Sequence, residues 1–248
     1  MLEITVLKTY HASVSEAEKV LPYLKSFDVF SVENAALLLR DARVLERIWG
    51  IWHSTPGMNR SKFLQGIDSL FEDANPKDYA YTRTIFEGMV SGKKPIYCSE
   101  RWETNEQAER VLRLFEDSSQ KIRDGNELIY GGRDDEGVDL VYNGLKKRME
   151  EYRMRDEHIA KNLQQATSII KSNYPLLRKK NVIRLGITIG AAHRIERYTT
   201  MQIDIIPLDK GTGEASETVS RVYDLMWDDA IIDKVAALIV KIAYLERH

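Results

Sequence analysis

The 248-residue sequence predicts an α/β protein: a single domain over 1–248, with a mostly parallel central sheet flanked by helices and a helical insertion at about 35–93. Three observations carry that expectation. Short runs rich in β-branched residues alternate apolar with polar side chains, which is the period of a strand. Helix-forming segments separate them, and a strand, helix, strand order of this length is the parallel βαβ unit. A hydrophobic share of 43% and a charged share of 30% suit a soluble chain that buries an ordinary core.

In order, Leu2 to Leu7 reads as a first strand, with Ile4 and Val6 on one face and Thr5 on the other. Ser13 and Glu16 have the spacing of a capping box, so a helix is expected from about Ser13 to Lys25. Asp28 to Glu33 is a second strand. Ala35 to Ile51 is rich in helix formers and is followed by a Pro56–Gly57 turn. Asn59 and Asn75 are positioned to cap two further helices, the second with Pro76 at its first position. Lys94 to Arg101 reads as a short strand, with Cys98 as buried filler. Another helix follows Thr104, directing Ala108, Val111, Leu112 and Phe115 inward. Gly125, Gly131–Gly132 and Gly137 predict an irregular section, and Asp134–Glu136 a solvated turn.

A long helix is expected from about Val138 to Tyr174, since Tyr152, Ile159, Leu163, Ala166 and Ile170 keep one face apolar. Arg155 projects from that inward face and needs an anionic partner. The most informative stretch comes next: Ile183, Leu185, Ile187 and Ile189 alternate with Arg184, Gly186, Thr188 and Gly190, and the run stops at Ala191–Ala192–His193. Small residues there let a ligand approach the backbone. Met201 to Ile206 is a last strand, and two helices at about Glu214–Leu225 and Asp229–Leu245 finish the chain.

Net charge is −2, which gives no general electrostatic reason to expect nucleic acid as a partner. Cys98 is the only cysteine, so neither an intramolecular disulfide nor a cysteine-rich zinc site can form. No window of about eighteen uninterrupted apolar residues exists and the amino terminus lacks the layout of a secretion signal, so a membrane partner is not expected and a cytoplasmic location is the default expectation.

His11, Glu33 and His193 each follow a strand. In an open parallel sheet the rim outside the carboxyl ends of the strands is where ligands bind. These three ionisable groups converge in space only if their strands lie side by side and parallel, as the βαβ order makes them.

With these residues in view, the chain resembles the TraB/PrgY and Tiki proteins, which are similar to the erythromycin esterase and ChaN-like groups. Four motifs carry the resemblance: Thr9–Tyr10–His11 after the opening strand, Asp28 to Glu33, Arg155–Asp156 with His158, and Gly190 to His193. Lys8 departs from the glycine usual in the first motif, and the middle, about Ala35 to Lys93, has no counterpart.

The resemblance implies a metal-dependent hydrolase acting on a peptide or ester bond of a peptide or small-molecule substrate. A divalent ion (Mn, Co or Zn) would be held by His11, Glu33 and His193. Arg155 would stabilise charge on the substrate oxygen, with Asp156 orienting it. The alternative is a divergent binding or regulatory protein using the same cleft for a peptide, haem or a partner protein, with Tyr97 or Tyr198 as a possible ligand residue.

Overall fold

The structure, a computed structural model, describes residues 1–9, 14–33, 42–72, 74, 76–208 and 214–247, with backbone alone at 77, 78, 214–216, 246 and 247. Among them four strands form one all-parallel sheet: β1 (Leu2–Thr9), β2 (Val29–Val32), β3 (Ile183–Gly190) and β4 (Ile203–Pro207), in the order β2-β3-β1-β4. The helices are α1 (Val14–Val20), α2 (Ala42–Ser54), α3 (Arg60–Asp68), α4 (Pro76–Ser91), α5 (Asn105–Tyr130), α6 (Asp134–Asn173), α7 (Glu214–Trp227) and α8 (Ile232–Arg247). The α/β class and the parallel sheet are as the alternation of the strands requires.

The chain folds into two compact units. The first holds residues 1–105, 157–191 and 195–209, and therefore the whole sheet. The second holds 106–156, 192–194 and 210–248, and its described residues are mainly helical. The division falls inside the 40-residue helix α6, between Asp156 and Glu157.

In the first unit, alternate residues of each strand feed two apolar clusters on opposite faces. Ile4, Val6, Val29 and the four apolar residues of β3 pack with Ile159, Leu163, Ala166 and Ile170 of α6. Leu7, Phe30 and Val32 pack on the other face with α1, α2, α3 and α4. Gly186 of β3 faces that second layer, where a Cβ would come within 2.5 Å of the Phe27 ring and 2.7 Å of Phe30. Only a residue without a side chain lets both aromatic rings lie against the strand. β1 runs beside β3 over eight residues, from Leu2 opposite Ile183 to Thr9 opposite Gly190.

Several local expectations are corrected. The first helix ends at Val20, and a 3₁₀ segment covers Leu21–Ser26, because Pro22 has no N–H to offer and its ring crowds the preceding turn. Ser13, its expected cap, lies outside the described residues, as do Asn75 and 34–41. Asn59 caps α3 as expected, its side chain accepting from the Lys62 N–H at 3.1 Å. Lys94 to Arg101 is not a strand: Ile96 makes one parallel bridge to Phe30. The reason is on its other side, where the Tyr174 hydroxyl accepts from the Ile96 N–H at 3.0 Å and donates to the Ile96 carbonyl at 2.9 Å. A side chain there takes the place of the next strand.

In the second unit, Gly125 and Gly137 do not break structure but sit inside α5 and α6 where the two helices touch. A Cβ on Gly125 would lie 2.7 Å from the Gly137 carbonyl, and one on Gly137 would lie 2.6 Å from the Gly125 carbonyl. The turn is confined to Gly131–Gly132, with Gly132 at φ +78° and the Arg133 N–H bonded to the Leu128 carbonyl at 2.9 Å, the usual close of a helix. Asp134–Glu136 forms the first turn of α6, where carboxylates face the amide dipoles. Phe115 is 44% exposed, and its ring is covered by the Arg148 guanidinium at 4.1 Å.

Candidate functional site

Because the sheet is parallel, β1, β2 and β3 end at one rim, with β3 between the other two. In the first unit that rim carries Glu33 directly after β2. The Glu33 backbone N–H donates to the Thr188 carbonyl at 3.2 Å, continuing the ladder, and its buried carboxylate accepts from the Gly190 N–H. Beside it Thr9 and Tyr81 share a hydroxyl bond of 3.1 Å, and the Tyr81 phenol also bonds the Thr188 hydroxyl. Burial, with the Glu33 charge nearby, pushes the Tyr81 phenol well up and keeps it protonated. No sequence signal marks Tyr81, Thr9 and Thr188 as partners, since a buried tyrosine beside an aromatic stripe carries no motif.

The same unit has a second polar cluster at 98–102. Glu46 of α2 is buried, its carboxylate accepting from the Cys98 N–H at 2.8 Å and lying 3.5 Å from Arg101. Burial raises the Glu46 carboxyl above its usual range, against the pull of those two partners. Cys98 is buried and its thiol is pushed up by desolvation, so it is core filler, as expected. His158 of α6 stacks on Trp102 at 4.1 Å and bonds the Arg101 carbonyl. Tyr97 is core too, its hydroxyl donating to the Asn162 carbonyl at 2.8 Å.

In the second unit, Asp156 of α6 meets His193, while Arg155, next to it in the sequence, pairs elsewhere on the same helix. Asp156 is fully buried and His193 is 1% exposed. One Asp156 oxygen meets His193 Nδ1 at 2.5 Å, and the other accepts from the Arg194 backbone N–H, also at 2.5 Å. Since a carboxylate only accepts, Nδ1 carries a proton, and whenever the ring is neutral its lone pair is on Nε2. Tyr152, one turn earlier on α6, sets its ring 4.6 Å from the imidazole. The short segment 192–194 is fastened further by Trp227, whose indole N–H donates to the Ala192 carbonyl at 2.7 Å, and by an Arg194–Asp224 ion pair at 2.5 Å. Arg155 has the anionic partner its inward position demands: the buried Glu151, 2.9 Å away, which also takes Arg148 at 3.2 Å. Asp156 thus serves His193 and Arg194, while Glu151 holds Arg155. Glu151, the carboxylate beside Arg155, belongs to no motif that would have marked it.

His11 lies outside the described residues. Among those that are described, no three imidazole, thiol or carboxylate groups gather to hold a metal ion. His193 does have the chemistry of a ligand, because a carboxylate on Nδ1 is the usual support behind a metal-bound imidazole. No described helix is long and apolar enough to cross a membrane. Comparison of the chain with protein-family models, with curated proteins and with solved structures finds no match.

Proposed function

We propose that the chain is a hydrolase of the TraB/Tiki type, with the erythromycin esterase/ChaN-like variant of the parallel α/β fold, acting on a peptide or ester bond. The observation that supports this most is the Asp156–His193 pair, set three residues beyond the end of β3. A buried carboxylate fixes the imidazole tautomer and stabilises the cation that forms when the ring takes a proton. The strand order adds support, because the segments leading to His11, Glu33 and His193 are neighbours in one sheet.

In this proposal His193 Nε2 withdraws a proton from water as the water oxygen attacks the substrate carbonyl carbon. The imidazolium, held by Asp156, returns that proton to the leaving amine or alkoxide. Arg155, oriented by Glu151, stabilises the negative charge that develops on the carbonyl oxygen. On the resemblance a divalent ion would take His11, Glu33 and His193 Nε2 as its ligands; His193 would then not be the base, and the ion would instead acidify the water and polarise the carbonyl.

The second reading, a protein that binds a peptide, haem or partner without turnover, is favoured by Lys8. It stands in place of the small residue that the resemblance calls for, and it pairs with Glu196 at 3.5 Å.

The test compares wild type, His193→Ala and Asp156→Asn on 4-nitrophenyl acetate and a set of fluorogenic peptides, with and without added Mn, Co or Zn, alongside metal analysis. Hydrolysis falling about 100-fold or more for His193→Ala, and about 10- to 100-fold for Asp156→Asn, is expected. Folded wild type without turnover under any condition, or variants as active as wild type, would overturn the reading.

A further inference from the structure

The second unit contains a cavity of about 110 Å³ among α5, α6, α7 and α8. Ile122, Val141, Val222 and Ile239 supply apolar wall from all four helices, and Asn126 and Tyr223 add two polar groups. We infer that this cavity is a binding site for a small apolar molecule or group, a single ring or a branched chain of about five or six heavy atoms.

The size sets the class. An apolar cavity of about 150 Å³ takes benzene and excludes water, so one somewhat smaller suits an occupant no larger than that ring. The lining sets the chemistry, since aliphatic side chains offer dispersion contact and no partner for a charge.

The surroundings argue against slack packing. Where α5 and α6 meet, Ile122 lies against Gly144, on which a Cβ would come within 2.9 Å, and Val141 lies against Gly125, on which one would come within 2.5 Å. Native interiors close up to crystal-like density. The site is independent of the hydrolytic reading. The Tyr223 ring lies 5.8 Å from that of Tyr152, which in turn lies 4.6 Å from His193.

The experiment is a benzene titration of the full chain, followed by methyl-resolved NMR and by thermal unfolding. Shifts concentrated on Val141, Val222 and Ile239, with a rise in Tm, are expected. Val222→Phe, which fills the space, is expected to weaken benzene binding at least 10-fold while its own Tm stays at or above that of wild type. Should that variant not fold, Ile122→Phe from the opposite wall gives the same readout. Absence of shifts at benzene saturation, or shifts that persist at full strength in a folded filling variant, would overturn the assignment.

Discussion

His158 shows what burial does to one titratable side chain. Stacked on Trp102 and bonded to the Arg101 carbonyl, it has its pKa lowered from the ordinary 6.5, because desolvation of the cation outweighs the carbonyl's help. His53, packed against Tyr174, is shifted the same way for the same first cause. A folded-state pKa below the unfolded one means stability that is fully present above about pH 6.5 and is lost as pH falls through the folded value. Urea midpoints are therefore expected to drop between pH 7.5 and 5.5, and His158→Gln is expected to flatten that slope. A slope unchanged in the variant would assign the effect elsewhere. At this scale the sequence was informative about identity and poor about pairing. His193, Glu33, Arg155 and Asp156 could be singled out from strand ends and helix faces. Which carboxylate holds which base depends on side-chain directions across elements that are far apart in sequence, and no local period encodes that.

Individual elements repay the same treatment. Periodicity identified β1, β2, β3, β4 and the long helix α6, because each buries a face whose spacing the sequence must respect. It failed at Lys94 to Arg101, where Tyr174 replaces a strand. It failed again at Gly125 and Gly137, which read as breakers but are the points where two helices meet. A glycine's role depends on what faces it, and two substitutions separate the cases. Gly125→Ala drives a methyl into Val141 and the Gly137 carbonyl, and is expected to destabilise by about 1–3 kcal/mol or more. Gly66→Ala, at an exposed position of α3 with nothing within 4 Å of the new methyl, is expected to stabilise by about 0.5–1 kcal/mol through helix propensity. Chemical denaturation of the two variants, with m-values compared to wild type, checks both signs.

For the whole molecule, the sheet was legible because an alternating pattern and a βαβ order admit few topologies. The division of the chain into two compact units was not, since it cuts through one unbroken helix whose sequence shows no change of character at Asp156. A consequence of the Tyr174 hydroxyl belongs here. By occupying both polar groups of Ile96, it closes one flank of the sheet to main-chain pairing. Tyr174→Phe is expected to cost about 1–3 kcal/mol and to speed hydrogen exchange at the Ile96 amide. The opposite flank, β4, is an outer strand with Ile205 39% exposed, and Asp204 and Pro207 are its deterrents against unwanted partners. Self-recruitment by strand addition is thereby steered toward β4, and a charge-removing, proline-free version of that strand is where fibrillar stacking would first take hold.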